Sequence, residues 1–119
     1  MKTWAVVGLG NNPNRAAFGV AKLLQEKGHR IIPVYPRAEI VHGEIGYKTL
    51  SEIGQPVDVV DCFVNSSLVG KVVDEAIAIG AKAVWLQLEV IDHAAISRAQ
   101  AAGLLTVMNR CPAIEYRSR

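Results

Sequence analysis

The sequence predicts an α/β domain in which a five-stranded parallel sheet lies between two layers of helices, and two observations lead to this class. Short, almost wholly apolar runs alternate along the chain with longer segments of helical periodicity, which is the pattern of repeated β-α-β units. The three longest helical segments are followed by Gly28, Gly80 and Gly103, and glycine is typical of helix C-termini. The chain has 119 residues, so residues 1–119 are expected to form one domain.

The five apolar runs are the predicted strands. They are short and bounded by glycine, proline or polar residues, as strands buried on both faces of a parallel sheet are. Pro33 stands inside the second run and removes one ladder donor, so an unpaired or irregular position is expected there. In chain order the runs are WAVVG (4–8), RIIPVYP (30–36), VDVVDCF (57–63), AKAVWLQ (81–87) and LLTVM (104–108).

Helical periodicity fills three of the intervals between these runs. In the first, Phe18 and Leu24 stand on one face at helical spacing. The second begins with Ser66 and Ser67, which are expected to cap a helix, and the third follows Asp92, another good N-cap residue. Each segment therefore predicts a crossover helix between consecutive parallel strands.

The interval between the second and third runs is less regular. Within Arg37–Pro56, the stretch KTLSEIG predicts one short helix. The order of elements is then β-α-β-(α)-β-α-β-α-β, and we expect a three-layer Rossmann-like domain with strand order 3-2-1-4-5, the order of dinucleotide-binding folds.

Composition excludes several classes of protein. Half of the residues are apolar and the net charge is +2 with the basic residues scattered, apart from the tail YRSR, so neither a disordered chain nor a nucleic-acid-binding stripe is indicated. No apolar run has the roughly 18 residues that a membrane span needs. Cys62 and Cys111 form no CxxC pair, which argues against a disulfide framework or a zinc site. These features predict a cytoplasmic protein with no nucleic-acid or membrane partner.

The stretch VVGLGNNPNR follows directly from the first predicted strand. Ligands of doubly wound sheets bind beyond the carboxyl ends of the strands, and a helix N-terminus there favours an anion. Gly8 and Gly10 allow close approach of the backbone to a phosphate, while Asn11, Asn12 and Arg15 offer hydrogen-bond donors. The loop therefore predicts a phosphate-binding site.

An NAD site fits this loop poorly. Pro13 stands where G-x-G-x-x-G has its third glycine, and the second run is not followed by an acid until Glu39. Arg37 instead suits a ligand with an additional phosphate on its ribose, with Lys48 as an alternative cation. NADP carries such a phosphate on the 2′ position and coenzyme A (CoA) on the 3′ position, so the residues leave both nucleotides open.

Five stretches carry a resemblance to a known family: AVVGLGNNPNRAAFGVAKLL, GHRIIPVYPR, VDVVDCF, EAIAIGAKAVWLQL and NRCPAIEY. With them the chain resembles the small stand-alone CoA-binding proteins of bacteria and archaea, whose domain is similar to the N-terminal part of the succinyl-CoA synthetase alpha subunit. The combination of the last two stretches is the specific part of the resemblance. It implies that the cofactor is coenzyme A.

The resemblance also implies a role for individual residues. The loop from Gly8 to Arg15 would hold the CoA pyrophosphate, and Gln87 would lie where the pantetheine arm passes. The adenosine end would be flanked by Pro33, Pro36 and Arg37, and the adenine side by Phe63, Val64 and Asn65.

The chain departs from the family pattern at three positions. Val64 stands where arginine is frequent, Glu89 where glycine is usual, and Asn109 replaces the aspartate of a DRCP motif. Val64 removes one potential phosphate partner, and Glu89 adds bulk and negative charge near the expected mouth of the pocket. These departures motivate an alternative, an interaction module that has lost its ligand.

No catalytic constellation is visible in the sequence. His29, His42 and His93 lie far apart, without the spacing of a metal site or of a nucleophile and its base. Asp58 and Asp61 flank a buried strand and are expected to cap or form hydrogen bonds at its ends. Cys111 is a candidate thiol near the ligand loops. We therefore expect a non-enzymatic protein that binds CoA or acyl-CoA, with an NADP-binding protein or enzyme as the alternative. A homodimer or another protein partner is left open.

Overall fold

The computed structural model describes residues 2–112 and 114, so the end of the stretch NRCPAIEY and the basic tail lie outside the described residues. All five strands are parallel and form one sheet. The strands are β1 (Thr3–Val7), β2 (Arg30–Val34), β3 (Val59–Cys62), β4 (Ala83–Leu86) and β5 (Leu105–Val107). The helices are α1 (Ala16–Glu26), α2 (Ser66–Ala78) and α3 (His93–Ala101). The predicted α/β Rossmann-like class is confirmed.

The predicted strand order 3-2-1-4-5 is wrong, because the sheet has the order β2-β1-β3-β4-β5. Strand β3 pairs with β1, and β2 lies at the edge. Pro33 explains why. Its carbonyl oxygen accepts a hydrogen bond from the N–H of Tyr47, 2.9 Å away on the outer side of β2. The N–H that proline lacks would point to the same side, so at an edge no ladder hydrogen bond is lost.

Both faces of the sheet are buried, as the apolar runs predict. In β1, Trp4 and Val6 pack on the side of α1, and Ala5 and Val7 pack on the side of α2 and α3. This alternation follows from the two-residue period of a strand. The two apolar layers cover the two faces of the sheet, and the loops that follow the strands converge at its carboxyl edge.

Local signals for the helices are mostly confirmed. The three glycines expected to end helices have φ angles of 89°, 74° and 89°, and Asp92 caps α3 by accepting a hydrogen bond from the N–H of Ala95. The short helix expected in KTLSEIG is a single 3-10 turn at Leu50–Glu52. Within the described residues, no helix combines the length and apolarity that crossing a membrane requires.

Candidate functional site

Two adjoining cavities open at the carboxyl edge of the sheet. The first, here called the loop cavity, lies between residues 8–15 and residues 35–39 and has a volume of about 400 Å³. The second, here called the apolar cavity, lies among the segments that follow β1, β3 and β4 and has a volume of about 650 Å³. Gly8, Arg15 and Tyr35 line both, so the two cavities form one continuous cleft.

Gly8 is required by a contact within the protein. Its φ angle is 98°, and a Cβ added there would collide with the carbonyl oxygen of Phe63. The Gly8 N–H donates to the carbonyl oxygen of Val34 over 2.8 Å. Glycine therefore lets the first loop cross between the ends of β2 and β3, a reason that differs from the close approach of a phosphate that the sequence suggests.

Gly10 lies against the side chain of Glu39, an acid that the sequence does not place in the site. A Cβ at this position would lie 2.9 Å from Oε1 of Glu39 and 3.3 Å from the ring of Tyr35. The N–H of Asn11 donates to the same Oε1 over 2.8 Å, and the Asn11 side-chain amide donates to the carbonyl oxygen of Ile40 over 2.5 Å. In the sequence, Glu39 stands beyond the end of the second predicted strand. In the structure the chain turns back there and places the Glu39 carboxylate over the first loop.

The rest of the first loop presents donors to the cleft. Oδ1 of Asn12 accepts from the N–H of Asn14 over 3.0 Å, which shapes the loop itself. Helix α1 begins after Arg15, and no side chain caps it. Its first residues, Ala16 and Ala17, line the apolar cavity. An uncapped helix N-terminus in a cleft favours a bound anion.

A second helix begins at the same cleft, and the serine caps expected for it are wrong. The N-cap of α2 is Asn65, whose side chain makes no capping hydrogen bond. The hydroxyl of Ser66 instead accepts from the N–H of Ile91 over 2.9 Å and donates to the carbonyl oxygen of Glu89. Ser66 thus ties α2 to the segment after β4, and the first turn of α2 faces the apolar cavity.

Gln87 is the most buried polar side chain of the cleft. It follows β4, is 5% exposed, and lines the apolar cavity. Its Oε1 atom has no hydrogen-bond partner among the described residues. An unsatisfied buried acceptor costs about 1–3 kcal/mol, so a ligand that donates a hydrogen bond here would recover that free energy.

The remaining predicted site residues divide between the cavities. Arg37 lines the loop cavity, while Pro36, Phe63, Val64 and Asn65 line the apolar cavity. Pro33 lines neither of the two, because it is buried in β2.

Several further residues line the apolar cavity and are not predicted from the sequence. Leu68 and Leu88, 52% and 48% exposed, form an apolar lip on the larger cavity, and Lys71 adds a cation beside the predicted Lys48. Helical and strand periodicity assigns such residues to an outer face, and only the convergence of the loops brings them to one cleft. Glu89 lines neither cavity, so it does not narrow the cleft as the sequence suggests.

The histidines and cysteines do not line the cleft. Nε2 of His42 lies 2.8 Å from the carbonyl oxygen of Phe18, and Cys111 packs against the apolar layer on the α1 side. Burial raises the pKa of the Cys62 thiol. Within residues 2–112 and 114, no group of three histidine, cysteine or acidic side chains could hold a metal ion.

Asp61 in β3 and Asp58, directly before that strand, have opposite environments. Asp58 accepts hydrogen bonds from the N–H groups of Thr3 and Lys2, which lower its pKa to about 2. Asp61 is fully buried with no hydrogen-bond partner among the described residues, and this burial raises its pKa well above 3.8. The expectation of hydrogen bonding at the strand ends is confirmed for Asp58 and wrong for Asp61.

The chain is similar to one protein family and to several known proteins. The model of a family described as the CoA binding domain matches residues 2–117. A Bacillus subtilis (strain 168) protein, YneT, is 32% identical over 110 residues, which cover 92% of this chain and 82% of that protein. A solved Pyrococcus horikoshii OT3 protein is 38% identical, with a TM-score of 0.94 and coverage of 98% and 82% of the two chains. A Thermus thermophilus protein is 32% identical, with a TM-score of 0.91 and coverage of 98% and 89%.

Proposed function

The chain belongs to the CoA binding domain family, and we propose that it binds CoA or an acyl-CoA in the cleft at the carboxyl edge of the sheet. The observation that carries this proposal is the division of the cleft into two joined cavities of different character. The loop cavity is lined by backbone, amide and charged groups, and the adjoining cavity mainly by apolar side chains. CoA has the matching division into a charged nucleotide and a long, mostly uncharged arm.

The nucleotide would occupy the loop cavity. Its pyrophosphate would lie against the loop from Gly8 to Arg15, where the uncapped N-terminus of α1 supplies backbone N–H groups and a favourable dipole. Arg37, which lines the same cavity, would bind the 3′-phosphate on the ribose. A guanidinium binds phosphate through two parallel hydrogen bonds, so it suits this position.

The pantetheine arm would extend past Phe63 into the apolar cavity. Phe63, Val64 and Asn65, which the resemblance assigns to the adenine side, line this cavity and not the loop cavity, so in this proposal they would contact the arm. There Oε1 of Gln87 would accept a hydrogen bond from an amide N–H of the arm, which removes its unsatisfied state. Leu68 and Leu88 at the lip of the cavity would cover the end of the arm or an acyl group attached to it.

We further propose that the chain has no catalytic activity of its own. A nucleophilic side chain is activated by an adjacent base, by a lowered pKa or by a metal. The histidines and Cys111 are not among the residues that line the two cavities. Steady release of free thiol from acetyl-CoA by the purified protein, abolished by a substitution in the cleft, would overturn this part of the proposal.

Thermal unfolding with CoA, acetyl-CoA, NADP and NAD in parallel tests the proposed ligand. A ligand present at about 100 times its dissociation constant adds about 2.7 kcal/mol to the free energy of unfolding, so CoA or acetyl-CoA should raise the melting temperature by several degrees. Arg15→Ala should reduce this increase. Arg30→Ala is the matched control, since Arg30 lies at the opposite end of β2 and bonds to Gln55.

Two results would contradict the proposal. An increase with NADP and none with CoA would favour the dinucleotide alternative. No increase with any of the four compounds would favour an interaction module without a ligand.

A further inference from the structure

The Glu39 carboxylate is held over the first loop by several local constraints. The turn after β2 closes with the N–H of Ala38 donating to the carbonyl oxygen of Tyr35 over 2.8 Å. Ala38 has a φ angle of 49°, in the left-handed region that residues other than glycine rarely adopt. This strained residue redirects the chain so that Glu39 returns toward the first loop.

The backbone around Glu39 is clamped as well. A Cβ at Gly46 would collide with the carbonyl oxygen of Glu39, so only glycine at position 46 allows the segment to lie this close. The side-chain amide of Asn11 holds the next residue by donating to the carbonyl oxygen of Ile40 over 2.5 Å. Strain and close packing that converge on one residue are features of functional sites.

The carboxylate itself faces the nucleotide end of the cleft. Its Oε1 accepts from the N–H of Asn11 and lies 2.9 Å from the Cβ position of Gly10. Within the described residues Oε2 accepts no hydrogen bond, and no ion pair joins Glu39 to Arg37, which lines the same cavity. The loop cavity therefore offers a negative acceptor beside a positive group, and both are available to a ligand.

Resting on the proposed CoA-type ligand, we propose that Glu39 is a specificity-determining residue that accepts a hydrogen bond from the free 2′-hydroxyl of the adenosine ribose. A carboxylate accepts from a hydroxyl but repels a phosphate. With Arg37 bound to the 3′-phosphate, Glu39 would select 3′-phosphorylated adenosine nucleotides and exclude those that carry their phosphate on the 2′ position. This would decide between the two classes that the sequence leaves open.

The contribution of Glu39 to this selectivity can be measured with two isomeric probes. They are adenosine 3′,5′-bisphosphate and adenosine 2′,5′-bisphosphate. They have the same charge and size, so general electrostatic attraction to the cleft cancels in the ratio of their dissociation constants. A hydrogen bond to a charged group corresponds to about a ten- to hundredfold change in affinity. The wild type should therefore prefer the 3′,5′ isomer by about tenfold or more in calorimetric titrations.

Glu39→Gln should reduce this preference to about threefold or less, because the amide lacks the charge that repels a 2′-phosphate. The amide oxygen can still accept from Asn11, so the fold should persist, as thermal unfolding would show. Glu44→Gln is the matched control. It makes the same change of charge in the same segment, and Glu44 does not line the loop cavity.

The outcomes separate this inference from the proposed function. If CoA binds the wild type but the two isomers bind equally, or neither binds, Glu39 does not read the ribose while the CoA site stands. A preference that survives Glu39→Gln also overturns the inference and leaves Glu39 as a structural clamp. If neither CoA nor either isomer binds, both proposals fail. A preference lost in Glu39→Gln and kept in Glu44→Gln supports the inference.

Discussion

The two edges of the sheet form left-handed backbone turns in different ways. At the amino-terminal edge, the turns that lead from the three helices into strands place glycine at the positive φ angle. At the carboxyl edge, Ala38, Glu89 and Asn109 adopt φ angles of 49°, 67° and 61°. The carboxyl edge, where ligands of this fold class bind, therefore has backbone strain at these three positions, in addition to the glycine turn at Gly8.

Polar side chains show the same contrast. At the amino-terminal edge, the Asp58 carboxylate accepts from two backbone N–H groups and pairs with Lys82 at 3.3 Å. At the carboxyl edge, Oε1 of buried Gln87 has no partner among the described residues, and α1 and α2 begin without side-chain caps. The Asp58 carboxylate at the amino-terminal edge is therefore satisfied within the fold, whereas Gln87 and the two helix N-termini at the carboxyl edge are not, within the part of the chain that the structure describes.

The largest expected effect is on the free energy of unfolding, and it compares Gly8 in the cleft with Gly19 in helix α1. Gly8→Ala should lower the free energy of unfolding by about 2–5 kcal/mol, because the methyl group meets the carbonyl oxygen of Phe63 and the φ angle is unfavourable. Denaturant unfolding measures this loss. Gly19→Ala, in α1 with no atom near the added Cβ, should instead raise stability by about 0.5–1 kcal/mol. Equal effects at both positions would refute the steric account of the first loop.

The next effect concerns the charged end of the cleft. Dephospho-CoA should bind about ten- to hundredfold more weakly than CoA, because a hydrogen bond to a charged group contributes about 1.5–3 kcal/mol. Arg37→Ala should remove most of that difference, which calorimetry on the four combinations of protein and ligand would show. If the variant still strongly prefers CoA, Lys48 or another cation binds the 3′-phosphate. If the wild type shows no preference, that phosphate points into solvent.

The pH dependence of the free energy of unfolding compares Asp61 in β3 with Asp58, which directly precedes that strand. Because the folded-state pKa of Asp61 is raised above 3.8, its contribution to stability is complete below pH 3.8 and declines as the pH rises toward the folded-state pKa. The decline approaches about 1.4 kcal/mol per pH unit for one proton. Asp61→Asn should abolish this decline, which denaturant titrations at a series of pH values above 3.8 would show. Asp58, whose pKa is lowered to about 2, provides the opposite control, since its contribution disappears as the pH falls from 3.8 through 2. An unchanged slope in Asp61→Asn would contradict the assignment.

The smallest expected effect tests the strain itself. Ala38→Gly relieves an unfavourable φ angle but increases the freedom of the unfolded chain, so the free energy of unfolding should rise by no more than about 1 kcal/mol. Ala78→Gly, at an exposed helical position in α2, should lower it by about 0.5–1 kcal/mol. A loss of stability at position 38 similar to that at position 78 would show that the turn after β2 is not strained.

Local features of this protein follow from the sequence alone. The five strands and three helices are predictable because apolar periodicity and helix-ending glycines depend on residues close together in the chain. Most of the candidate site is predictable for the same reason, since Gly8, Arg15, Arg37 and Gln87 each follow or precede a recognisable strand. Parallel strands then bring their carboxyl ends to one edge.

Only the tertiary structure decided the strand order and the contents of the cleft. Pro33 signals an irregular position, but only the pairing of β3 with β1 leaves β2 at the edge of the sheet, where Tyr47 alone bridges its outer side among the described residues. Likewise, the hydrogen bond between Asn11 and Glu39 joins residues 28 positions apart. Such contacts depend on how distant segments pack together, which is a property of the whole fold that no local pattern of residue types encodes.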